Sequence, residues 1–247
     1  MRSLNIAHRG FSGQYTENTM TAFEKAYEEG ADGIELDVRL TKDGQVVIFH
    51  DTKIDRMTET KGAVNMYTLE ELRSRPIITH PLQKSIKQEV IPTLSEYLEW
   101  VEDKPLLTNI ELKSIKKNYR LELRVAEAIQ TYKMEERVFI SSFQENSLIR
   151  IKILAPSVKT GLLLSKYDES TLVTAKELDL DYLHLRADRL TAENIKTIHE
   201  LGLQINTWTV NEVEDLKKVN ALGLHGIITD YPDRLREIQA HQLNEVE

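Results

Sequence analysis

The chain has 247 residues, of which 40% are hydrophobic and 29% charged, and this composition fits a globular protein with one large α/β domain or two small ones. Its 40 acidic residues outnumber its 32 basic residues, for a net charge of −8, which argues against nucleic acid or an anionic membrane as the main partner. The absence of cysteine excludes disulfides, zinc–thiolate sites and thiol nucleophiles.

The N-terminal residues carry no recognisable targeting signal. Met1 to Asn5 lead directly into a strand-like segment, without the charged-then-apolar pattern of a signal peptide. No apolar run approaches the roughly 20 residues that a membrane-spanning helix requires. We therefore expect a cytoplasmic protein without stable membrane insertion, and the sequence leaves its oligomeric state open.

A short unit recurs along the chain: an amphipathic helix, a glycine and an apolar run. Gly30, Gly202 and Gly223 each follow a helical pattern, where a glycine in the left-handed conformation ends a helix. Alternating helices and strands predict βα units around a parallel sheet. The predicted strands are Leu4–His8, Gly33–Leu40, Gln45–His50, Leu107–Leu112, Val138–Ser142, Thr160–Leu164, Tyr182–Leu185, Gln204–Val210 and Gly226–Thr229. The predicted helices are Asn18–Glu29, Leu94–Val101, Tyr119–Tyr132, Ser147–Leu154, Thr171–Leu178, Ala192–Leu201, Val213–Ala221 and Pro232–Gln242.

The nine predicted strands exceed the eight of a TIM barrel by one. The sequence before the third strand explains the additional strand. The connection that precedes Gln45–His50 has no room for a crossover helix, and Asp43-Gly44 is a strong hairpin turn. We predict that this strand runs back antiparallel to the second one and that the other eight close a TIM barrel. A two-residue loop would place Asp37 opposite His50, and a three-residue loop would shift the pairing by one place.

One long stretch, at about 52–92, departs from the βα rhythm. It holds a single short helical signal, Thr68 to Leu72, followed by a segment with three prolines. We predict that this insertion follows the hairpin and forms a wall over the active face of the barrel. No linker divides the chain, so we expect one TIM-barrel domain, residues 1–247, that includes the insertion.

Charged residues alternate with aliphatic ones in two of the predicted strands. Glu35 and Asp37 are two residues apart, as are Glu111 and Lys113, so each pair shares one face of its strand. Paired charges of this kind fit poorly in an apolar core. We interpret them as groups that point into a polar site.

Two histidines and an arginine join these charges at the same end of the predicted barrel. His8 and Arg9 close the first strand, and His50 returns along the hairpin to the carboxylates. The C-terminal ends of the strands form the catalytic face of this fold. Imidazoles, carboxylates and a guanidinium together are what a metal-assisted attack on a phosphate ester requires.

Short strings in a fixed order extend this pattern along the chain. They are His8-Arg9-Gly10, Glu17-Asn18-Thr19, Ala22-Phe23, Gly30-Ala31-Asp32, Ile34 to Val38, Asp43-Gly44, His50-Asp51, Ile91 to Leu94, Asn109 to Lys113, Ser141-Ser142-Phe143, Trp208 to Asn211 and Ile228-Thr229-Asp230. Each string is weak evidence by itself, but their order and spacing are specific. The chain thus resembles the glycerophosphodiester phosphodiesterase family, which is known as TIM-barrel enzymes with a small insertion after the second histidine. One departure is Thr16, where the family usually has proline.

The resemblance implies an enzyme, a metal-dependent phosphodiesterase that hydrolyses a glycerophosphodiester to glycerol-3-phosphate and an alcohol. It implies Glu35, Asp37 and Glu111 as ligands of one divalent metal ion. Three carboxylates without cysteine favour a hard ion, Mg²⁺ or Ca²⁺. It also implies His8 and His50 as the acid and the base, a role that suits imidazole near neutral pH.

Three further residues complete the set that the resemblance implies. Arg9 and Lys113 would bind the phosphate, the first through its planar fork and the second as a point charge. Lys113 could equally neutralise Glu111. Trp208 would form an apolar wall beside the glycerol or the other alcohol, or it could be barrel core.

Other functions stay open on the sequence. A lysophospholipase D would act on single-chain lipids, and a phospholipase C-type phosphodiesterase would need a surface that faces a bilayer. A non-catalytic barrel could bind a phosphorylated metabolite. For hydrolysis itself, the attacking group is either water or the neighbouring glycerol hydroxyl, which would form a cyclic phosphate.

Overall fold

Eight parallel strands form a closed barrel in the computed structural model, which describes residues 2–81, 89–114 and 119–244. The strands, with one antiparallel addition, are β1 (Leu4–His8), β2 (Gly33–Leu40), β3 (Val46–Ile48), β4 (Leu107–Leu112), β5 (Val138–Ser142), β6 (Lys159–Leu164), β7 (Tyr182–Arg186), β8 (Gln204–Trp208) and β9 (Gly226–Thr229). Strand β1 pairs with both β2 and β9, which closes the ring. The predicted TIM barrel is confirmed.

Helices separate the strands and cover the outside of the barrel. Within the described residues they are α1 (Met20–Glu28), α2 (Leu69–Arg73), α3 (Leu94–Val101), α4 (Arg120–Thr131), α5 (Glu145–Leu154), α6 (Glu169–Glu177), α7 (Ala192–Glu200), α8 (Val213–Asn220) and α9 (Pro232–Asn244). Helix α1 begins two residues after the predicted Asn18, because Thr19 caps it by accepting a hydrogen bond from the Ala22 amide. None of these described helices has the length and apolar character needed to cross a membrane.

Two predicted strands, Gln45–His50 and Gln204–Val210, were too long. The first shortens to β3 because the His50 carbonyl accepts hydrogen bonds from the Arg39 side chain instead of a strand partner. The second ends at Trp208, which pairs with Arg186 at the last position of β7. Strand β7 ends at that position, and the Val210 amide bonds the Ile228 carbonyl of β9 at 3.1 Å without extending the strand.

The hairpin between β2 and β3 uses the three-residue loop. Leu40 pairs with Val46, and the φ angle of 81° at Gly44 lies in the left-handed region that such loops require. The Phe49 amide donates to the Asp37 carbonyl at 2.8 Å, so Phe49 lies opposite Asp37 and His50 comes one residue later. His50 still returns to the C-terminal end of β2.

The insertion after the hairpin has a small apolar cluster of its own, formed by Val47, Phe49, Ile54, Val64, Leu72, Ile77 and Ile91. Helix α2 falls where the sequence predicted it, with Thr68 and Glu71 in a capping box. The Thr16 hydroxyl accepts a hydrogen bond of 2.7 Å from the His80 amide, so the residue that replaces the family's proline ties the first loop to the insertion. Residues 82–88 of the predicted insertion lie outside the described residues.

Polar side chains also lie inside the barrel, in the middle of β7 and β8 and just before β9. Asn206 contacts the rings of both His184 and His225, at 3.3 Å and 2.8 Å. His184 is fully buried, and burial lowers its pKa to about 3. Burial also lowers the pKa of His225, to about 4. Both rings are therefore neutral in the folded chain at ordinary pH.

The buried His184 should make the fold sensitive to mild acid. Between pH 6.5 and about 3 the unfolded chain binds a proton at His184 that the folded chain does not. His184 should therefore lower the free energy of unfolding by about 1.4 kcal/mol for each unit by which the pH decreases. Urea unfolding between pH 5 and 6.5 measures this slope. His184→Gln should remove its share of the slope and leave that of His225, whereas His199→Gln, on the exposed surface of α7, should leave the slope unchanged. Parallel slopes in all three proteins would contradict the assignment.

Candidate active site

The C-terminal ends of the strands surround a pocket of about 240 Å³. Its lining includes the side chains of His8, Arg9, Glu35, His50, Asn109, Glu111, Lys113, Ser141, Phe143, Leu163, Trp208, Thr209 and Ile228. Seven of the eight residues predicted for the site are among them. The eighth, Asp37, lies beside the pocket, where it pairs with both Arg9 and Lys113.

Three carboxylates meet where β2 and β4 pair, because Asp37 is in register with Glu111 and Glu35 lies two residues before Asp37. One oxygen from each lies within 4.8 Å of the other two. Burial raises the pKa of Glu35 well above its usual value, and the charge of Asp37 adds to this shift. Burial and Asp37 also raise the pKa of Glu111, to about 7. The cluster thus carries more negative charge than its surroundings compensate.

Two cations balance part of this negative charge. Burial opposes ionisation of Asp37, but the charges of Lys113 and Arg9 outweigh it and lower the pKa of the carboxyl. Lys113 Nζ lies 3.1 Å from Asp37 Oδ1 and also contacts Glu111 Oε1. Arg9 Nε lies 3.2 Å from Asp37 Oδ2. The pairing of Lys113 with Glu111 that the sequence left open is present, and both cations still line the pocket.

Backbone strain aims Arg9 at this cluster. Its φ angle is 56°, a left-handed conformation that is uncommon for residues other than glycine. The Arg9 amide donates to the backbone carbonyl of Glu35 at 2.8 Å and to its side chain at 3.0 Å. At Gly10, which follows, a Cβ would lie 2.6 Å from the backbone of Ala22, so only glycine fits beside the strained turn.

Each histidine of the pocket is held by a carboxylate at Nδ1. Asp230 Oδ1 lies 2.6 Å from His8 Nδ1, and Asp51 Oδ1 lies 2.7 Å from His50 Nδ1. Because a carboxylate accepts hydrogen bonds, Nδ1 carries a proton in both rings. Nε2 is then the atom that can give or take a proton. Burial lowers the pKa of His50, which favours its neutral form.

Polar residues that contact Arg9 and Asp37 orient these groups. Glu17 bonds Arg9 at 2.9 Å and also pairs with Arg56 of the insertion. Asn18 donates to Asp37 at 2.8 Å and shares with Arg9 a φ angle of 56°. Asn18 was predicted only as the first residue of a helix, and neither Glu17 nor Asn18 was predicted for the site. Their place in the Glu17-Asn18-Thr19 string was the signal that could have identified them.

The carboxylates that contact the two histidines were also missed from the sequence. Asp51 and Asp230 stand in the His50-Asp51 and Ile228-Thr229-Asp230 strings, but neither was predicted as a site residue. Asn211 supports Asp230 by donating from Nδ2 to Oδ2 at 2.6 Å. A residue that acts only through another leaves no pattern of its own in one sequence, so these partners required the fold.

Aromatic residues form the opposite side of the pocket. Trp208 is half-buried, and its ring meets that of Phe143 edge to face with centroids 5.7 Å apart. Its indole Nε1 donates to the His184 carbonyl at 3.0 Å, which fixes the ring. Trp208 therefore lines the pocket wall, and it also packs against a buried apolar cluster of the barrel.

The donor set fits a divalent metal ion. Two of the three carboxyl groups have raised pKa values because no nearby charge compensates their burial fully. Asn109 Oδ1 and Ser141 Oγ are buried and belong to residues that line the same pocket, and neither has a hydrogen-bond partner among the described residues. Buried polar atoms normally have partners, so a cation with its water, or an oxyanion, would satisfy groups that the protein leaves unpaired.

Comparisons with known proteins agree with this geometry. Residues 8–234 match the model of the glycerophosphoryl diester phosphodiesterase family. A glycerophosphodiester phosphodiesterase of Caldanaerobacter subterraneus is 41% identical over 242 residues, which cover 95% of this chain and 97% of the relative. A lysophospholipase D of Rattus norvegicus is 30% identical over 282 residues, with 95% of this chain and 85% of the relative covered.

A solved structure shows the same architecture. An Oleispira antarctica phosphodiesterase, solved with its product sn-glycerol-3-phosphate, superposes with a TM-score of 0.85 at 28% identity. The match covers 95% of this chain and 96% of that one. The family match spans most of the chain, and the pocket contains the carboxyl groups, imidazoles and cations described above. The chain therefore belongs to the glycerophosphoryl diester phosphodiesterase family and is an enzyme of the phosphodiesterase class.

Proposed function

We propose that the chain hydrolyses glycerophosphodiesters to glycerol-3-phosphate and an alcohol, with a divalent metal ion held by Glu35, Asp37 and Glu111. The observation that carries this proposal is the convergence of three carboxylates, two carboxylate-backed histidines and two cations on one pocket. Oxygen-only ligands favour Mg²⁺ or Ca²⁺. When bound, the ion would supply positive charge to a non-bridging phosphate oxygen.

The protein's own groups divide the remaining work. Arg9 and Lys113 bind the phosphate and are themselves oriented by Asp37. One histidine takes a proton at Nε2 from the attacking hydroxyl, and the other gives a proton at Nε2 to the leaving alkoxide. The carboxylates at Nδ1 fix both rings and stabilise whichever is protonated. Trp208 and Phe143 exclude water from one side of the substrate.

The attacking group is either water or the glycerol hydroxyl adjacent to the ester. Both need one base and one acid on opposite sides of the phosphorus, and the pocket supplies an imidazole from β1 and another from the hairpin. The second route passes through a cyclic phosphate that water then opens. Hydrolysis in ¹⁸O-labelled water with isolation of a cyclic intermediate distinguishes the two routes.

Release of glycerol-3-phosphate tests the proposal. The substrates are glycerophosphocholine, glycerophosphoethanolamine and glycerophosphoglycerol, each with Mg²⁺, with Ca²⁺ and with a chelator. We expect release that depends on one or both metals and stops with the chelator. Folded protein that releases nothing under any condition would contradict the proposal.

A lysophospholipase D activity is the second candidate, because the rat relative carries that name and is 30% identical over most of this chain. Adding lysophosphatidylcholine as a fourth substrate tests it. Release of choline from this lipid alone would move the function to single-chain lipids. Tight binding of glycerol-3-phosphate without turnover of any substrate would instead indicate a binding protein.

A further inference from the structure

An open groove of about 570 Å³ begins at the edge of the catalytic pocket. It shares Glu111, Lys113 and Phe143 with that pocket, so a molecule bound to Lys113 could extend into it without leaving the protein surface. Beyond the shared residues its lining is mostly polar and includes Arg39, Thr52, Asn65 and Gln144. We refer to it as the polar groove.

Arg39 gives the polar groove a positive charge. Its guanidinium donates to the His50 carbonyl at 2.9 Å and 2.7 Å and to the Lys113 carbonyl at 3.3 Å. None of the ion pairs among the described residues includes Arg39. Burial lowers its pKa, but an arginine stays charged at any pH the enzyme meets. Its bonds to carbonyls leave part of its donor set unused.

Hydrogen-bonding groups without partners lie beside this charge. The side chains of Thr52 and Asn65 are exposed, and neither makes a hydrogen bond within the described part of the chain. Gln144 is fixed, since it donates to the Ser114 carbonyl at 2.7 Å. The groove therefore offers hydroxyl, amide and guanidinium groups to a ligand, and a cationic ligand would face Arg39.

A second groove, on the far side of Trp208, is a poorer continuation of the pocket. It has a similar volume of about 560 Å³, but it shares only Trp208 and Thr209 with the pocket. Its charges are already paired: Arg186 bonds Asp188 at 3.1 Å. It therefore touches the wall of the catalytic pocket and not the groups that would hold the phosphate.

From this geometry we infer that the polar groove binds the alcohol half of the diester and selects a hydroxyl-rich alcohol, such as glycerol or an inositol, over an ammonium alcohol. The inference rests on the proposed function. The glycerol phosphate is common to all the substrates and is small enough for the catalytic pocket. The alcohol differs between substrates and needs the open space of the polar groove. Hydroxyls accept bonds from Arg39 and donate to Asn65 and Thr52, whereas choline or ethanolamine would be repelled by Arg39.

Two substitutions of Asn65 test the inference, because this side chain lines the polar groove and takes no part in the chemistry. The wild type should have a lower KM for glycerophosphoinositol than for glycerophosphocholine. Asn65→Leu should raise the KM for glycerophosphoinositol about fivefold, the value of one lost hydrogen bond. Asn65→Asp should lower the KM for glycerophosphocholine about fivefold, since a carboxylate beside Arg39 offsets its charge.

The methyl ester of glycerol-3-phosphate serves as the reference substrate, because its alcohol does not reach the groove. Both variants should turn it over like the wild type. Leu222→Asp places the same new charge in the second groove and should leave every KM unchanged. A change of preference in Leu222→Asp but not in Asn65→Asp, or no change in either, overturns the inference. Absence of turnover of the methyl ester by the wild type would instead refute the proposed function.

Discussion

Glu35→Gln should abolish the stabilisation that Mg²⁺ or Ca²⁺ gives the folded protein and should lower kcat/KM by a factor on the order of 10³. Glutamine keeps the shape of the residue and can still accept the bond from the Arg9 amide, but it removes one charged ligand from the cluster. At a metal concentration one hundred times its Kd, the wild type should gain about 2.7 kcal/mol. Thermal unfolding with and without metal measures this gain.

Without metal, the same substitution should have the opposite effect. The three carboxylates lie within 4.8 Å of one another, and burial and Asp37 raise the pKa of Glu35. A neutral side chain removes this repulsion, so metal-free Glu35→Gln should unfold at the same temperature as the wild type or a higher one.

Glu122→Gln is the matched control for both measurements. Glu122 is also fully buried, but it bonds Ser147 on the outside of the barrel at 2.7 Å and does not line the catalytic pocket. This variant should keep its turnover and its gain in stability with metal. An undiminished metal effect in Glu35→Gln would refute the ligand assignment.

His8→Ala and His50→Ala should each lower kcat by about 10² to 10⁴, the range typical of general acid–base catalysis. Neither ring belongs to the carboxylate cluster, so both variants should keep the metal-dependent gain in unfolding temperature that Glu35→Gln loses. His199→Ala, on the exposed surface of α7, is the control and should behave like the wild type. Turnover near the wild-type level in either site variant would exclude that histidine from the chemistry.

A change of leaving group separates the acid from the base. p-Nitrophenol leaves without a proton, so a glycerophosphodiester of p-nitrophenol does not need the general acid. The variant that lacks the acid should recover most of its kcat on this substrate, and the variant that lacks the base should not. Equal recovery in both variants would show that neither histidine has a single dedicated role.

Local sequence patterns were sufficient to predict most of the barrel. The bounds of β1, β2, β4, β5 and β9 agree with the prediction, because each is a short, mainly apolar run that a polar motif ends. The Asp43-Gly44 turn likewise identified β3 as an antiparallel addition. The ends of β3 and β8 could not be predicted, since they depend on where a neighbouring strand stops and on Arg39 as a competing donor.

The residues of the pocket likewise divide into those that the sequence could identify and those that it could not. Residues that we propose to act directly, such as Glu35 and Glu111, stand out because a charge inside an apolar strand is unusual in one sequence. Residues that act through others do not stand out: Asp230 reaches His8 across 222 positions of chain. Asn109 also gave no separate signal, although its Oδ1 proves to be buried and without a partner. Only the closed ring of strands brings such groups together.

The two imidazoles of the pocket follow residues that pack in different apolar clusters. His8 ends a strand of the main barrel, whereas His50 directly follows Phe49, which packs with Val47 in the small cluster of the insertion. A local opening of that small cluster would leave the carboxylates, Arg9 and Lys113 in place and displace one imidazole. Such a state would keep its affinity for metal and phosphate and have no turnover. The stability of the insertion, rather than that of the barrel, then sets the temperature at which activity is lost.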